Sequence, residues 1–151
     1  MTEGTLVYIF KGNQILLAMK KRGFGEGKWN GVGGKLKNGE SMLECAIRET
    51  EEEIGVTVTL DQPHGQIHFH DPKESEWIVH VYRTETFVGE PVETEEMRPQ
   101  WFPIDAIPYD QCWADDIVWL PLLIAGKKFK AEVWLADDGS LAKHTIKELP
   151  I

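Results

Sequence analysis

The rhythm of apolar and polar positions changes several times along the chain, and each change marks an element. Residues 5–10 form a β-rich run, Lys11-Gly12-Asn13 carries turn chemistry, and residues 14–19 return, which predicts a hairpin. Residues 20–34 then lose any period and fill with glycines and basic side chains, a loop that lets backbone approach a ligand closely. The clearest helix follows. Ser41 and Glu44 stand in capping-box relation, and Gly55 ends the run after Ile54. At ~100° per residue Leu43, Ile47, Thr50 and Ile54 share one stripe, the expected buried face. Alternation and β-branched or aromatic content predict strands at residues 56–60, 66–70, 77–88 and 99–102. An acidic loop over residues 90–96 separates the last two. Asp115-Asp116 can cap a second helix over residues 117–125, closed by Gly126, with Pro121 kinking it or delaying its start. A final hairpin joins residues 129–135 and 141–147 around Asp138-Gly139. Many strands with two helices predict an α+β fold, a sheet sandwiched between helices.

With 151 residues, 42% of them hydrophobic and no internal repeat or linker, the chain is expected to form a single domain spanning residues 1–151. Such a length buries enough surface to fold without disulfides. Only Cys45 and Cys112 are present, no secretory leader is evident, and the longest apolar stretch, residues 117–125, is too short to span a bilayer. A cytoplasmic setting is expected. Sixteen Lys and Arg against 25 Asp and Glu give a formal net charge of -9, which argues against a nucleic-acid polymer or a membrane as partner. A small phosphorylated substrate stays possible if metal ions stand between it and the acidic protein.

One place on the first helix concentrates that acidity. Glu49, Glu52 and Glu53 stand at i, i+3 and i+4 and project together, a mutual repulsion that costs a few tenths of a kcal/mol. Arg48 reaches Glu52 at i+4. The face is either simply solvated or a site for a hard divalent cation, and Mg²⁺ favours such carboxylates combined with substrate phosphates.

The segment from Gly34 to Val56, GKLKNGESMLECAIRETEEEIGV, resembles the signature of the Nudix hydrolase family, G-x5-E-x7-R-E-U-x-E-E-x-G-U, where U is bulky and aliphatic. Gly34, Glu40, Arg48, Glu49, Glu52, Glu53, Gly55 and Val56 fill their positions. Thr50 departs, standing where the family has an aliphatic residue, which reads as a small packing cost. The resemblance implies an α/β/α sandwich with a mixed β-sheet and a hydrolase of substituted nucleoside diphosphates. It implies Mg²⁺, for which Mn²⁺ can substitute, as cofactor. By matching positions, Glu49, Glu52 and Glu53 would be the catalytic carboxylates and metal ligands, Gly34 would offer its carbonyl, and Glu96 would add a further carboxylate. Glu40 would close the loop structurally. No obligate protein partner is implied.

The signature does not set the substrate. A purine needs flat apolar walls, for which Phe24, Phe69, Met97, Trp113 and Trp119 are candidates, and polar groups to read its edge, which Asn30, Asp115 and Asp116 can supply. The same aromatics could be ordinary core, and the Asp pair an ordinary helix cap. The stretches KKRGFGEGKWNGVGGK, EEMRPQWF and WADDIVWLPLL are similar to the branch of the family acting on oxidised purine nucleoside triphosphates. That resemblance implies pocket roles for Thr5, Lys20, Phe24, Asn30, Phe69, Trp113, Asp115, Asp116 and Trp119, and conversion of 8-oxo-dGTP or 2-oxo-dATP to monophosphate and pyrophosphate, keeping damaged bases out of the nucleotide pool. Adjacent Asp115 and Asp116 are expected to share a proton and so to donate as well as accept. Ala114 departs from that branch and is expected to make the turn before the Asp pair less rigid, and Asp71 and Trp77 depart from it in ways that alter the expected pocket wall. Two other readings stay open: a Nudix enzyme for another nucleotide (an ordinary dNTP, a dinucleoside polyphosphate, ADP-ribose), and a non-catalytic module binding nucleotide or divalent cation. His68 and His70 form an H-x-H pair able to bind a transition metal, but packed or solvated strand histidines are commoner without a third ligand.

Overall fold

The run Val7 to Phe10 is buried at every position, the pattern of a strand covered on both faces rather than one. In the computed structural model, which describes residues 1–73 and 75–150, that run lies in β1 (Thr2–Lys11) near the centre of an eight-stranded mixed sheet. The remaining elements are β2 (Gln14–Lys20), β3 (Trp29–Asn30), α1 (Met42–Ile54), β4 (Thr57–Val58), β5 (Gly65–Asp71), β6 (Ser75–Thr84), β7 (Phe87–Val88), β8 (Met97–Pro103), α2 (Asp116–Ile124), β9 (Lys128–Leu135) and β10 (Leu141–Leu149). A 3-10 turn, Tyr109–Gln111, precedes α2. Strand order is β10-β9-β5-β6-β1-β2, with β3 and β8 both against β2. The β1/β6 and β5/β9 pairs are parallel and the other pairings in this sheet antiparallel.

Alternate residues of β1 go to opposite sides. Tyr8 and Phe10 join the cluster containing Trp119, Leu120 and Leu123 of α2, whereas Val7 and Ile9 join the cluster containing Ala46 and Ile54 of α1. The two helices therefore cover opposite faces, and the expected three-layer sandwich is present. The predicted hairpins also form. The predicted strand over residues 77–88 divides: β6 stops at Thr84, whose hydroxyl donates to Thr59 O at 2.7 Å, and β7 leaves to pair with β4 in a separate two-stranded sheet.

The first helix forms where expected. Ser41 Oγ accepts from the Glu44 amide, the Glu44 carboxylate accepts from the Ser41 amide, and Gly55 closes the helix at φ 72°. Ser41→Ala removes one of these two bonds. The expected loss is about 1 kcal/mol, read as a melting temperature lower by roughly 2–4 °C for a chain of this size.

The buried stripe is a correction. Leu43 is exposed, and Cys45, Ala46, Thr50 and Ile54 are the buried positions. Small side chains face the sheet because the helix lies close to it: the Cys45 thiol meets the Thr5 hydroxyl at 3.6 Å. Thr50 is no packing defect, since its hydroxyl donates to Ala46 O at 2.8 Å. Pro121 sits inside α2, which nonetheless starts at Asp116. Among the described residues no helix is long and apolar enough to cross a membrane.

What positions the site is a divergence. Only residues Ile9 to Lys11 of β1 pair with β2, and the N-terminal half of β1 turns to residues 32–35 instead. Val7 and Val32 exchange backbone bonds, and the Thr5 amide donates to Gly34 O at 2.9 Å. This approach requires glycine: a Cβ on Gly33 would fall 1.8 Å from the Thr5 carbonyl oxygen.

Candidate active site

The acidic face of α1 is organised by a guanidinium. Arg48 donates to Glu49 at 2.7 Å, to Glu52 at 3.1 Å and, through Nε, to Glu40 at 2.5 Å. Glu40 also accepts from the Lys37 amide at 3.1 Å, which closes the loop ahead of the helix as expected. The Arg48 fork holds the Glu40 carboxyl down to about 2. The Glu49 carboxylate rests on Gly34, where a Cβ would stand 2.5 Å from its carboxyl carbon. A larger residue at position 34 would evict it.

Glu53 is different. Burial, then the neighbouring Glu49 carboxylate, push its pKa up to about 8, and its Oε2 is buried without a hydrogen-bond partner. Lys20 opposes that shift and Glu96 adds to it, which places both charges within electrostatic reach of Glu53. Glu96 itself is held by Arg22 at 2.5 Å. A clustered, oxygen-only donor set containing one orphaned, charge-starved carboxylate oxygen fits a hard divalent cation.

Beside this face, sharing Gly34 as a wall, opens a cavity of about 490 Å³. All ten residues expected to contact substrate line it: Thr5, Lys20, Phe24, Asn30, Phe69, Met97, Trp113, Asp115, Asp116 and Trp119. Their conditions differ. The Thr5 hydroxyl is engaged with Cys45, so that residue contributes wall rather than a free polar group. Asn30 Oδ1 accepts from Tyr8 Oη at 3.0 Å and from the Gly31 amide at 2.9 Å, which leaves its Nδ2 hydrogens as the free donors. Phe24 is 58% exposed and leans on Trp113, with ring centroids 5.1 Å apart, at the rim. Trp119 is wholly buried, edge-on to Tyr8 and stacked on Phe129, so it is both core and cavity lining.

The aspartates are not a helix cap. Asp115 occupies the cap position of α2 but makes no side-chain capping bond. Its Oδ2 accepts from the Trp119 indole at 2.6 Å, and its Oδ1 is buried without a partner. Burial raises the Asp115 pKa. It raises that of Asp116 well above the usual carboxylate range, with the charge of Asp115 adding to the effect and Lys28 opposing it. Among the described residues no hydrogen bond joins the two carboxyls. The indole fixes Asp115, while burial and the charge of Asp115 both favour the neutral form of Asp116.

Lys28 is a lining residue to which the sequence assigned no role, and it stands 5.6 Å from the Trp113 ring centroid. Trp77, expected to alter the pocket wall, lines the cavity and stacks on Phe69 at 4.9 Å and 12°, because the β5/β6 register makes the two direct partners.

The chain has relatives among known proteins. The NUDIX domain family matches residues 2–123, and the chain belongs to that family of hydrolases. It is 45% identical over 146 residues to the oxidized purine nucleoside triphosphate hydrolase of Danio rerio, and 41% identical over 146 residues to that of Mus musculus. Each alignment covers 96% of this chain and 94% of the relative. Among solved structures, the mutator MutT protein from Bacillus halodurans superposes with a TM-score of 0.86 over 97% of this chain and 98% of that one. At 24% identity that likeness shows the shared fold. A MutT NUDIX hydrolase from Burkholderia pseudomallei is 29% identical with a TM-score of 0.66, covering 71% of this chain and 86% of its own.

Proposed function

We propose that this chain, acting as a single domain in the cytoplasm, hydrolyses oxidised purine nucleoside triphosphates such as 8-oxo-dGTP and 2-oxo-dATP to the monophosphate and pyrophosphate, with Mg²⁺ as cofactor and Mn²⁺ able to replace it. One observation carries the reading. A purine-sized cavity with a buried acid whose neutral form burial favours, Asp116, and a donor-presenting Asn30 opens beside the carboxylates of α1. The names of the vertebrate relatives support the same substrate class.

Glu49, Glu52 and Glu53 would hold the cation, with the Gly34 carbonyl and Glu96 as further oxygens beside them. Bound there, a divalent cation neutralises phosphate oxygens and lowers the pKa of the attacking water. The protein's own groups do the rest. Arg48 holds Glu49 and Glu52 in orientation, and Lys20, lining the cavity within reach of Glu53, offers a positive charge to the phosphate tail. Phe24 and Trp113 flank the rim, and Phe69, backed by Trp77, forms an inner wall against which a base can lie. Asn30 and Asp116 supply donors, while the free Oδ1 of Asp115 is an acceptor. Together they suit an edge that presents a new donor and a new acceptor on oxidation: 8-oxo-guanine gains a donor at N7 and a carbonyl at C8.

Steady-state rates with Mg²⁺ over 8-oxo-dGTP, 2-oxo-dATP, dGTP and dATP test this. The expected kcat/KM for an oxidised base exceeds that of its parent by at least ~10-fold, about 1.4 kcal/mol of discrimination at the base edge. A flat profile, or faster turnover of ADP-ribose or a dinucleoside polyphosphate, would assign the pocket to another nucleotide.

A further inference from the structure

The face of the sheet opposite the purine cavity carries a second cluster that hydrolysis does not use. On β5, Phe69 points to the cavity side, and its neighbours His68 and His70 point to the other. The β5/β6 register sets Glu76 beside His70, and the β5/β9 register sets Glu132 beside His68. Three strands thus deliver two imidazoles and two carboxylates to one partly exposed patch.

Two of the contacts are hydrogen bonds: His68 Nε2 with Glu76 Oε1 at 3.1 Å, and His70 Nε2 with Glu132 Oε2 at 2.5 Å. A third, His70 Nδ1 against the same Glu76 Oε1 at 3.0 Å, is a close approach without hydrogen-bond geometry. A ring nitrogen and a carboxylate oxygen facing each other in this way can be brought together by a cation between them. One ring nitrogen of His68, one of His70 and a Glu76 oxygen all lie within 4.8 Å of one another, and all three are metal donor atoms. Glu132 then accepts from His70 Nε2–H, which fixes the tautomer whose Nδ1 lone pair is free. That carboxylate–histidine pairing is the usual support for a metal-bound imidazole. The His70 ring is further held by parallel stacking on Trp134, at 4.9 Å and 5°.

We propose that His68, His70 and Glu76 form a binding site for a divalent transition metal of the Zn²⁺ type, oriented by Glu132. Two imidazoles and one carboxylate suit Zn²⁺, which takes nitrogen at ~2.0–2.1 Å in tetrahedral geometry, and suit Mg²⁺ poorly. Three protein ligands leave the fourth tetrahedral position to water, and a depression of about 340 Å³ lined by His68 and Glu132 adjoins the cluster. The site ties β5 to β6 at the pair next to Phe69 and Trp77, so an ion there braces the wall of the purine cavity from behind. It is chemically separate from the oxygen-only face of α1 and does not depend on the substrate reading.

Titration calorimetry with ZnCl₂ in saturating Mg²⁺, which occupies the acidic helix, tests the site. The wild type is expected to bind one Zn²⁺ per chain, with a melting temperature that rises with Zn²⁺ and with the visible absorption of a tetrahedral centre when Co²⁺ replaces it. His70→Ala should weaken Zn²⁺ at least ~100-fold and abolish the Co²⁺ bands. Glu132→Gln, which keeps shape and removes the orienting charge, should weaken it ~10–100-fold. Should His70→Ala fold poorly, His68→Gln carries the same expectation. Binding that is identical in wild type, His68→Gln and Glu132→Gln, or absent below millimolar Zn²⁺, would overturn the assignment.

Discussion

Replacing Glu53 by Gln is expected to lower kcat at least ~10²-fold, a loss of about 2.7 kcal/mol in the barrier, without unfolding the protein. The argument is one of conflict between stability and chemistry. In the protein as folded, Glu53 is buried against Glu49 with an oxygen that has no partner and a pKa pushed up to about 8. A carboxyl so placed weakens the fold relative to a neutral amide of the same shape. By linkage, a raised carboxyl pKa favours the folded state at low pH, and that advantage is lost as pH rises through the folded pKa, here near 8. Glu53→Gln therefore should match or exceed the wild-type melting temperature at pH 8 to 9 without Mg²⁺, and the stabilisation of the wild type by Mg²⁺ should be lost in the variant. Kinetics and calorimetry on the same sample decide it. A variant that melts earlier and keeps its kcat would make Glu53 a structural residue and remove the case for a cation on this face. Glu52→Gln, at the exposed end of the same set and paired with Arg48, should show the kinetic loss with little change in melting temperature.

How much of this was legible in the sequence depends on the distance over which each signal acts. Helix α1, its capping box and its terminal glycine were readable because every determinant lies within four residues. The loop glycines announced a close approach, but only the pairing of β1 with residues 32–35 shows that Gly33 and Gly34 are squeezed by Thr5 and Glu49. The buried face of α1 was misplaced because aliphatic period favours Leu43. Close docking of helix on sheet selects small residues, and Cys45 and Ala46 carry no strong periodic signal. The cavity residues were recognisable as a set, since all ten line one space. Their individual states were not: the Asn30 amide oxygen is occupied by Tyr8, 22 residues away on another strand, and the i+4 spacing of Trp119 from Asp115 does not by itself say that the indole donates there. The same holds for His68 and His70, whose third and fourth partners arrive only through strand register.

Replacing Asp116 by Asn should separate base reading from catalysis. The side chain is 2% exposed, and both burial and the charge of Asp115 favour its neutral form. As a neutral acid it donates one hydrogen bond and by losing its proton accepts at the same oxygen, whereas an amide whose NH₂ faces the base can only donate there. The variant should therefore keep turnover on the oxidised purine that needs a donor at this position and lose at least ~10-fold in kcat/KM on the one that needs an acceptor, so that the ratio of 8-oxo-dGTP to 2-oxo-dATP hydrolysis changes by about that factor. Stability supplies an independent readout. An unfolded Asp titrates near 3.9, and the folded one well above it, so the folded state binds more protons between those values. Wild-type stability then falls as pH rises from about 4 through the folded-state pKa, whereas an Asn at this position cannot titrate. The melting temperature of Asp116→Asn relative to wild type should climb with pH across that window. Parallel melting curves from pH 4 to pH 9, together with an unchanged substrate ratio, would show that Asp116 is ionised in the fold and is not the group that reads the base.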